Sequence, residues 1–166
     1  MVFWFRRNKK ETRSAPLLKN VLTPDVVRIP LNANDKEGII RELIDILDAK
    51  NRLPDRAAAE KVVFEREANM STGMENGVAI PHGKTDTVDR LHVAMGLKPE
   101  GVDFGCVDGE PARILILTLS PASTSGPHIR FMAEITRLLQ QEALRRRLLA
   151  CRTPEEAIHV IQGDTG

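Results

Sequence analysis

A continuous apolar run near the middle of the chain constrains the fold more than any other feature of the sequence. Residues 112–119 read ARILILTL, so apolar side chains follow one another there instead of alternating with polar ones. Such a run is typical of a central strand that is buried on both faces. Shorter strands are predicted over 77–80 and 91–97, and the loosely alternating residues 26–33 predict another, which Pro30 places at an edge.

Amphipathic segments precede and follow these predicted strands. Residues 35–50 carry apolar side chains at helical spacing, a second helix is predicted to open at Pro54, and three more are predicted over roughly 127–140, 142–150 and 154–162. Helices before, between and after strands indicate an α/β sandwich built on one sheet. In the first helix the predicted apolar face is Ile39, Ile40, Leu43, Ile44 and Leu47, and the opposite face is Arg41, Glu42, Asp45 and Asp48.

The charge of the chain is unevenly distributed along its length. The formal net charge of the 166 residues is +1, but residues 1–14 contain five basic residues and one acidic residue, which leaves the remainder slightly acidic. A nearly neutral body lacks the basic surface that nucleic-acid binding requires, so no nucleic-acid partner is predicted. Residues 1–20 are interpreted as a flexible basic and aromatic arm, and residues 21–166 as one domain.

Two functions are open for this arm. Phe3, Trp4 and Phe5 precede its basic residues directly. A disordered tail is one interpretation, because chain ends are commonly poorly ordered. The other is weak contact with a membrane surface or a partner, since aromatic and basic residues together suit a membrane interface.

The cysteines and the hydropathy pattern bear on the compartment. Cys106 and Cys151 are far apart and belong to no cluster with metal-ligand spacing, which favours reduced thiols and predicts no metal. No apolar stretch approaches the roughly 20 residues that span a bilayer. The short apolar start is followed rather than preceded by basic residues, unlike a signal peptide. A cytoplasmic protein without a cofactor is therefore predicted.

Two short matches to nucleotide-binding motifs fail on their chemistry. The stretch from Gly77 to Thr85 resembles a phosphate-binding loop, but its glycines are one residue too far apart. Pro81 also lacks the N–H that such a loop would direct at phosphate. Residues 103–105 read DFG, yet no catalytic loop of the kinase type precedes them. Neither segment indicates a site for ATP.

His82 is the first candidate for chemistry. It follows the predicted strand that ends at Ile80, with Pro81 fixing the turn and Gly83 leaving room beside the imidazole. The carboxyl end of a strand is where α/β folds place their sites. A structural histidine remains the alternative, because the site rather than the fold must decide function.

His128 and Arg66 are the other two candidates. His128 opens an amphipathic segment after Pro127, which puts an imidazole at a helix N-terminus, a favourable place for an anion. Its alternative role is that of a capping residue. Arg66 lies on the helix side expected to face the sheet, where its guanidinium suits phosphate oxygens. The alternative for Arg66 is an ion pair with Glu65 or Glu67.

These residues carry a resemblance to a known family. The segments REANMSTG (66–73) and GVAIPHG (77–83), followed by a proline and histidine at 127–128, resemble fructose/mannitol-type enzyme IIA of the bacterial phosphotransferase system. The likeness covers roughly residues 25–162, and Lys84 stands where many relatives have arginine. It implies a single mixed β-sheet of about five strands flanked by helices.

The resemblance also implies a function for each candidate. His82 matches the histidine that is phosphorylated, His128 the second active-site histidine that stabilises the phosphoryl group, and Arg66 the arginine that compensates its charge. Such a phosphotransferase accepts phosphate from an HPr-type phosphocarrier protein. It then either passes phosphate to an enzyme IIB in sugar uptake or, as a nitrogen-regulatory type, acts on a target such as a kinase or transporter. A pure binding module is a third alternative, against which the three residues together argue.

Overall fold

One open sheet of five strands forms the centre of the molecule in the computed structural model, which describes residues 17–163. Strand β5 lies between β4 on one side and both β2 and β3 on the other, and β1 lies at the edge beyond β4. The β4–β5 pair is antiparallel and the other pairs are parallel. The strands are β1 (Val27–Arg28), β2 (Val78–Ala79), β3 (His82–Lys84), β4 (His92–Val102) and β5 (Ala112–Ser120).

Within residues 17–163, six α-helices pack around this sheet or against one another. Helix α2 packs on β4 and β5, α3 on β3 and α5 on β4, whereas α1 packs on α4 and α6 on α5. The mixed α/β fold expected from the sequence is therefore confirmed. The helices are α1 (Leu17–Val21), α2 (Lys36–Asp48), α3 (Arg56–Asn69), α4 (Gly126–Leu139), α5 (Glu142–Leu149) and α6 (Pro154–Gly163), and a short 3-10 turn covers Pro24–Val26.

Strand β5 is the central strand that its apolar run predicts. Its side chains are buried on both faces, with Arg113 alone half-exposed. The core includes consecutive residues such as Ile116 and Leu117, whose side chains point to opposite faces of a strand. Because both faces of β5 are shielded from water, an unbroken apolar sequence is stable here. A strand with one solvent-exposed face would instead alternate apolar and polar residues.

The segment that carries His82 differs from its prediction. The strand does not end at Ile80 with the histidine beyond it; after a break at Ile80 and Pro81 the chain resumes as β3, and His82 is its first residue. Both pieces pair with β5 in one register, since Val78 lies opposite Ile114 and His82 opposite Thr118. The break falls at the proline because it has no N–H to donate to the sheet.

Helix α2 confirms its predicted apolar face, and its predicted polar face with the exception of Glu42. All five apolar residues of that face are buried. Glu42, expected on the opposite side, is 9% exposed and accepts the backbone N–H groups of Asn32 and Ala33. A buried carboxylate is stable only with such partners, and helical spacing alone does not reveal them.

The start of α3 is a second correction. Pro54 precedes the helix instead of opening it, and the helix begins at Arg56. Asp55 is the N-cap, and its carboxylate accepts the backbone N–H of Ala58. A capping side chain satisfies a first-turn donor, so Asp55 decides the boundary.

The N-terminal end of the described chain is part of the packed domain. Residues 17–20, assigned to the arm by sequence, lie in α1, and the side chain of Leu18 is 1% exposed. Residues 1–16, which include the aromatic and most of the basic residues of the predicted arm, lie outside the described residues. No helix between residues 17 and 163 has the length and apolar character to cross a bilayer.

Candidate active site

The ring of His82 is held by the backbone two residues before it. Its Nδ1 lies 2.9 Å from the carbonyl oxygen of Ile80. A carbonyl oxygen only accepts hydrogen bonds, so Nδ1 carries the proton of the pair. Within residues 17–163 no hydrogen bond occupies Nε2. The neutral ring therefore presents the lone pair of Nε2, which is the nucleophilic form of an imidazole.

His128 lies beside His82. The two ring centroids are 5.6 Å apart and the planes are tilted by 41°. Helix α4 supplies His128 in its first turn, and Nδ1 of His128 lies 3.4 Å from the hydroxyl of Thr118, the β5 residue that pairs with His82. The structure thus brings together two histidines that are distant in sequence.

The electrostatics at His128 favour its neutral form. Burial lowers the pKa of His128, and repulsion from Lys84 and from His82 in its protonated form lowers it further. Near neutral pH the ring therefore has one N–H and one lone pair. Such a ring can donate one hydrogen bond to an anionic oxygen without itself carrying charge.

Gly83 has a different role from the one its sequence suggested. A Cβ at this position would lie 2.7 Å from Cγ2 of Val62 and 3.1 Å from the backbone nitrogen of Val63. The missing side chain therefore makes room for helix α3, rather than for the imidazole of His82. This close approach brings the end of α3, with Arg66, towards the site.

Arg66 lies at the edge of the same site. It is half-buried, and its Nη1 donates to the carbonyl oxygen of Met70 at 2.8 Å. Neither proposed ion pair forms, because Glu65 lies near Lys61 and Glu67 near Lys36. Arg66 is therefore only partly turned towards the sheet, as its half-buried side chain shows. The next residue, Glu67, is the one that lies on the buried face of α3.

Arg66 and His82 share one small cavity. Its volume is about 200 Å³, and the exposed side chain of Met70, with 68% of its surface accessible, lies close by at the end of α3. A guanidinium and a free imidazole nitrogen at one cavity can hold a tetrahedral anion and react with it. The cavity is lined by Arg66, Ser71, Thr72, Gly73, Met74, Ile80, His82 and Met132.

A network of buried polar groups that was not predicted from the sequence supports this cavity. The buried carboxylate of Glu67 accepts the backbone N–H of Thr72 at 3.0 Å and lies 2.6 Å from Nζ of Lys36. Burial alone would raise the pKa of Glu67, but the hydrogen bonds from Lys36 and Thr72 outweigh it and hold that pKa below its ordinary value. The ionised carboxylate therefore anchors the segment after α3.

This anchor connects to His82 through the backbone. The carbonyl of Thr72 accepts the N–H of Ile80 at 3.1 Å, and the carbonyl of Ile80 accepts from His82. No helical or strand periodicity indicates such a chain of contacts. The signal in the sequence that could have indicated this network was Glu67 itself, next to Arg66. It was interpreted only as an alternative ion-pair partner of Arg66.

The other two histidines lie outside this cavity. His92 is buried at the start of β4, and His159 is exposed on α6. Across residues 17–163, no three His, Cys, Asp or Glu side chains are grouped so that they could hold a metal ion.

Comparison with known proteins agrees with this fold and identifies a family. The family model described as "Phosphoenolpyruvate-dependent sugar phosphotransferase system, EIIA 2" matches residues 20–163. The chain is 36% identical over 126 residues to the fructose-specific EIIA component of Haloferax volcanii, covering 76% of this chain and 82% of that protein. It is 31% identical over 152 residues to a nitrogen regulatory protein of Escherichia coli, covering 90% and 91% respectively.

Structural comparison gives the same result. The nitrogen regulatory protein IIA-Ntr of Neisseria meningitidis superposes with a TM-score of 0.81 at 25% identity, covering 87% of this chain and 99% of that one.

The chain also matches the fructose-specific EIIABC component of Bacillus subtilis at 30% identity, with 87% of this chain covered, but spans 23% of its length. The fold and the matched range define a phosphotransferase-system component. The chain belongs to the EIIA 2 family of the sugar phosphotransferase system.

Proposed function

We propose that this chain is a phosphoryl carrier that holds a phosphoryl group on Nε2 of His82, received from an HPr-type phosphocarrier protein. The observation that carries the proposal is the hydrogen bond from Nδ1 of His82 to the Ile80 carbonyl, which leaves Nε2 free beside His128. Arg66, which lines the same cavity as His82, adds a positive charge. Transfer of a phosphoryl group depends mainly on such positioning and charge stabilisation.

The proposed step is a displacement at phosphorus. The lone pair of Nε2 attacks the phosphorus of the donor's phosphohistidine, and the bond from phosphorus to the donor nitrogen breaks. The electron pair of that bond stays on the donor imidazole. His82 keeps its proton on Nδ1, and the hydrogen bond to Ile80 strengthens because the phosphorylated ring gains positive charge.

His128 and Arg66 stabilise the charge on the phosphoryl oxygens. With Nδ1 accepting from the hydroxyl of Thr118, a neutral His128 has its N–H on Nε2 and donates from there. The guanidinium of Arg66 pairs with the remaining oxygens. Donors fixed before the reaction stabilise the transition state without reorganising during it.

For the physiological role we propose the nitrogen-regulatory type, in which the phosphorylation state controls binding to a target such as a kinase or transporter. The similarity to IIA-Ntr over nearly that entire chain supports this type. The second candidate is sugar uptake with transfer to an enzyme IIB, supported by the 36% identity to a fructose-specific EIIA component. Either role places the protein in the cytoplasm with its donor.

Incubation with phosphoenolpyruvate, enzyme I and an HPr-type carrier tests the proposed carrier function. Mass spectrometry of the intact protein should show one acid-labile phosphoryl group on the wild type and on His159→Ala, a matched control at an exposed histidine. His82→Ala should remain unlabelled. Label that persists in His82→Ala, or its absence from the wild type with a cognate donor, contradicts the proposal.

A second experiment separates the two roles. Labelled protein is mixed with a fructose-type enzyme IIB domain, and the label on each partner is followed. Rapid transfer to IIB supports sugar uptake. Retention of the label, together with target binding that differs between His82→Ala and the phosphorylated wild type, supports regulation.

A further inference from the structure

A second, larger cavity adjoins the active site at His128. Its volume is about 480 Å³, within the range of sites for small organic ligands. Helix α1, the start of β4, the end of β5 and the first turn of α4 form its walls. His128 belongs to these walls and His82 does not. The proposed phosphoryl transfer leaves this cavity unused.

Two arginines line the cavity, and the charge of Arg90 is the one not neutralised by an ion pair within residues 17–163, because Asp25 pairs with Arg52. Arg90 is exposed and makes no hydrogen bond or ion pair with the residues of the described range. Arg52 donates to Asp25 at 2.8 Å through one nitrogen, which leaves other N–H groups of its guanidinium. The one acid in the wall is Asp89, and its side chain is 88% exposed.

A neighbouring cavity continues from the first. Its volume is about 490 Å³, and it shares Arg52, Asp89, Arg90 and His92 with the first while adding Lys50. Burial lowers the pKa of His92, and the charges of Arg90 and Arg52 lower it further, whereas the carboxylate of Asp89 acts in the opposite direction. His92 is therefore a neutral hydrogen-bonding group.

A buried hydroxyl in the wall lacks a partner. The side chain of Ser120 is 2% exposed, and its Oγ has no hydrogen bond with any residue from 17 to 163. Ser120 lies two residues after Thr118 on β5, so both side chains lie on the sheet face where Thr118 meets His128. An unsatisfied buried hydroxyl is costly and requires an explanation such as a ligand.

The first turn of α4 adds further donors. Its N-cap residue Ser125 makes no side-chain hydrogen bond to the helix, so the first-turn N–H groups lack that acceptor. Pro127 and His128 of this turn line the cavity. Helix N-termini attract anions through these N–H groups and the helix dipole.

We propose that this cavity binds a small organic anion whose carboxylate or phosphate oxygens pair with Arg90 and Arg52 and accept from Ser120. The free guanidinium of Arg90 supplies the anchoring charge, and the ligand gives the Ser120 hydroxyl its missing acceptor. Inorganic phosphate is smaller than the cavity, so the natural ligand has a carbon frame. This site does not depend on the proposed phosphoryl transfer, since it is formed by the unphosphorylated protein.

Titration of the isotope-labelled, unphosphorylated full chain with inorganic phosphate and with succinate, followed by NMR at constant ionic strength, tests the proposal. Either probe should give saturable shifts at Ser120 and His128, and sodium chloride should not. Arg90→Met should weaken the binding at least about tenfold, as expected for a lost charge-assisted contact. Ser120→Ala should weaken it less, and Arg137→Met, at an exposed arginine on the far end of α4, should leave it unchanged.

The outcomes separate the ligand classes and the alternatives. Binding of phosphate alone identifies a phosphate ester as the ligand class, and binding of succinate alone identifies a carboxylate. Shifts that do not saturate with either probe overturn the proposal. Equal weakening by Arg90→Met and Arg137→Met also overturns it, because the effect would then come from net charge rather than from a site. Unchanged amide spectra of both variants without ligand establish that they are folded.

Discussion

The rings of His82 and His128 lie 5.6 Å apart, and a single β5 residue, Thr118, connects them: it pairs with His82 in the sheet and contacts His128 through its hydroxyl. The two imidazoles reach this place from different elements, His82 from a short strand and His128 from the first turn of a helix. Because one ring has a free nitrogen and burial favours the neutral form of the other, the pair suits the proposed roles of a nucleophile and an uncharged donor.

Replacement of His128 should separate the acceptance of phosphate from its onward transfer. In His128→Ala we expect His82 to be labelled still, because its own hydrogen bond to Ile80 is unaffected. Transfer to the next acceptor should slow about 10²-fold, the usual effect of losing one fixed donor at a transition state. Rapid-quench measurement of the label on both proteins checks this, and onward transfer at the wild-type rate would show that His128 is not such a donor.

The titration of His128 should reflect its burial and its neighbours. Its midpoint, measured by NMR of the ring carbons, should lie below the ordinary value of 6.5. Lys84→Met should move that pKa upwards, because the Lys84 charge is one of its causes. A midpoint above 6.5, or one that does not respond to Lys84→Met, would contradict this electrostatic account.

The same shift has a consequence for stability. A histidine whose pKa is lowered on folding binds protons more readily when unfolded, so the folded state loses stability as pH falls below 6.5. We expect a shallower pH dependence of the free energy of unfolding in His128→Gln between pH 6.5 and the folded pKa of His128. Urea denaturation across this pH interval measures the difference.

Glu67 should contribute stability that acid removes. Its folded pKa is lowered, so the contribution is fully present above the ordinary value of 4.5 and is lost as pH falls through the folded pKa. Glu67→Gln should lower the free energy of unfolding at neutral pH by about 1–3 kcal/mol, because Lys36 loses its buried partner. Glu37→Gln, at an exposed carboxylate of α2, is the control and should change it little.

Measurement of denaturant unfolding from pH 7 to pH 3 tests this prediction. The difference between wild type and Glu67→Gln should shrink as the pH falls, since protonation of Glu67 removes the same interaction. A difference that stays constant with pH would indicate a packing effect of the amide instead of the loss of the carboxylate's charge.

Gly83 should tolerate no side chain. Gly83→Ala places a Cβ 2.7 Å from Val62 and close to the backbone of α3, so the helix must shift. We expect a loss of about 1–3 kcal/mol in the free energy of unfolding, as for other overpacked positions. Gly163→Ala, where nothing lies within 4 Å, is the matched control and should remain within about 0.5 kcal/mol of the wild type.

Several elements followed from local sequence. The apolar run over 112–119 predicts β5, because a strand that is buried on both faces requires apolar side chains throughout. The apolar residues at helical spacing in α2 likewise predict its buried side. Thr153 precedes α6 and caps it, because its hydroxyl accepts the N–H of Glu156, and threonine is a favoured residue at this position. In each case neighbouring residues determine the outcome, and their spacing is visible in the sequence.

Other features were misassigned for two different reasons. Pro54 precedes α3 because the neighbouring Asp55 supplies the cap, which is a local signal that the proline obscured. Glu42 and His82 depend instead on tertiary contacts: the carboxylate of Glu42 accepts the backbone N–H of Asn32, and β5 continues to pair with the chain beyond the break at Pro81. Helical and strand periodicity do not indicate such contacts.

The family resemblance, the mixed α/β architecture and the candidates His82, His128 and Arg66 are all evident in the amino-acid sequence. The folded chain adds which nitrogen of His82 is free, how close His128 lies to it and which residue supports the cavity wall. These features need the fold because a ring's tautomer and environment depend on hydrogen bonds and burial contributed by other elements, here Ile80, Thr118 and the Glu67 network. Local periodicity specifies where a side chain emerges, and packing specifies what it meets.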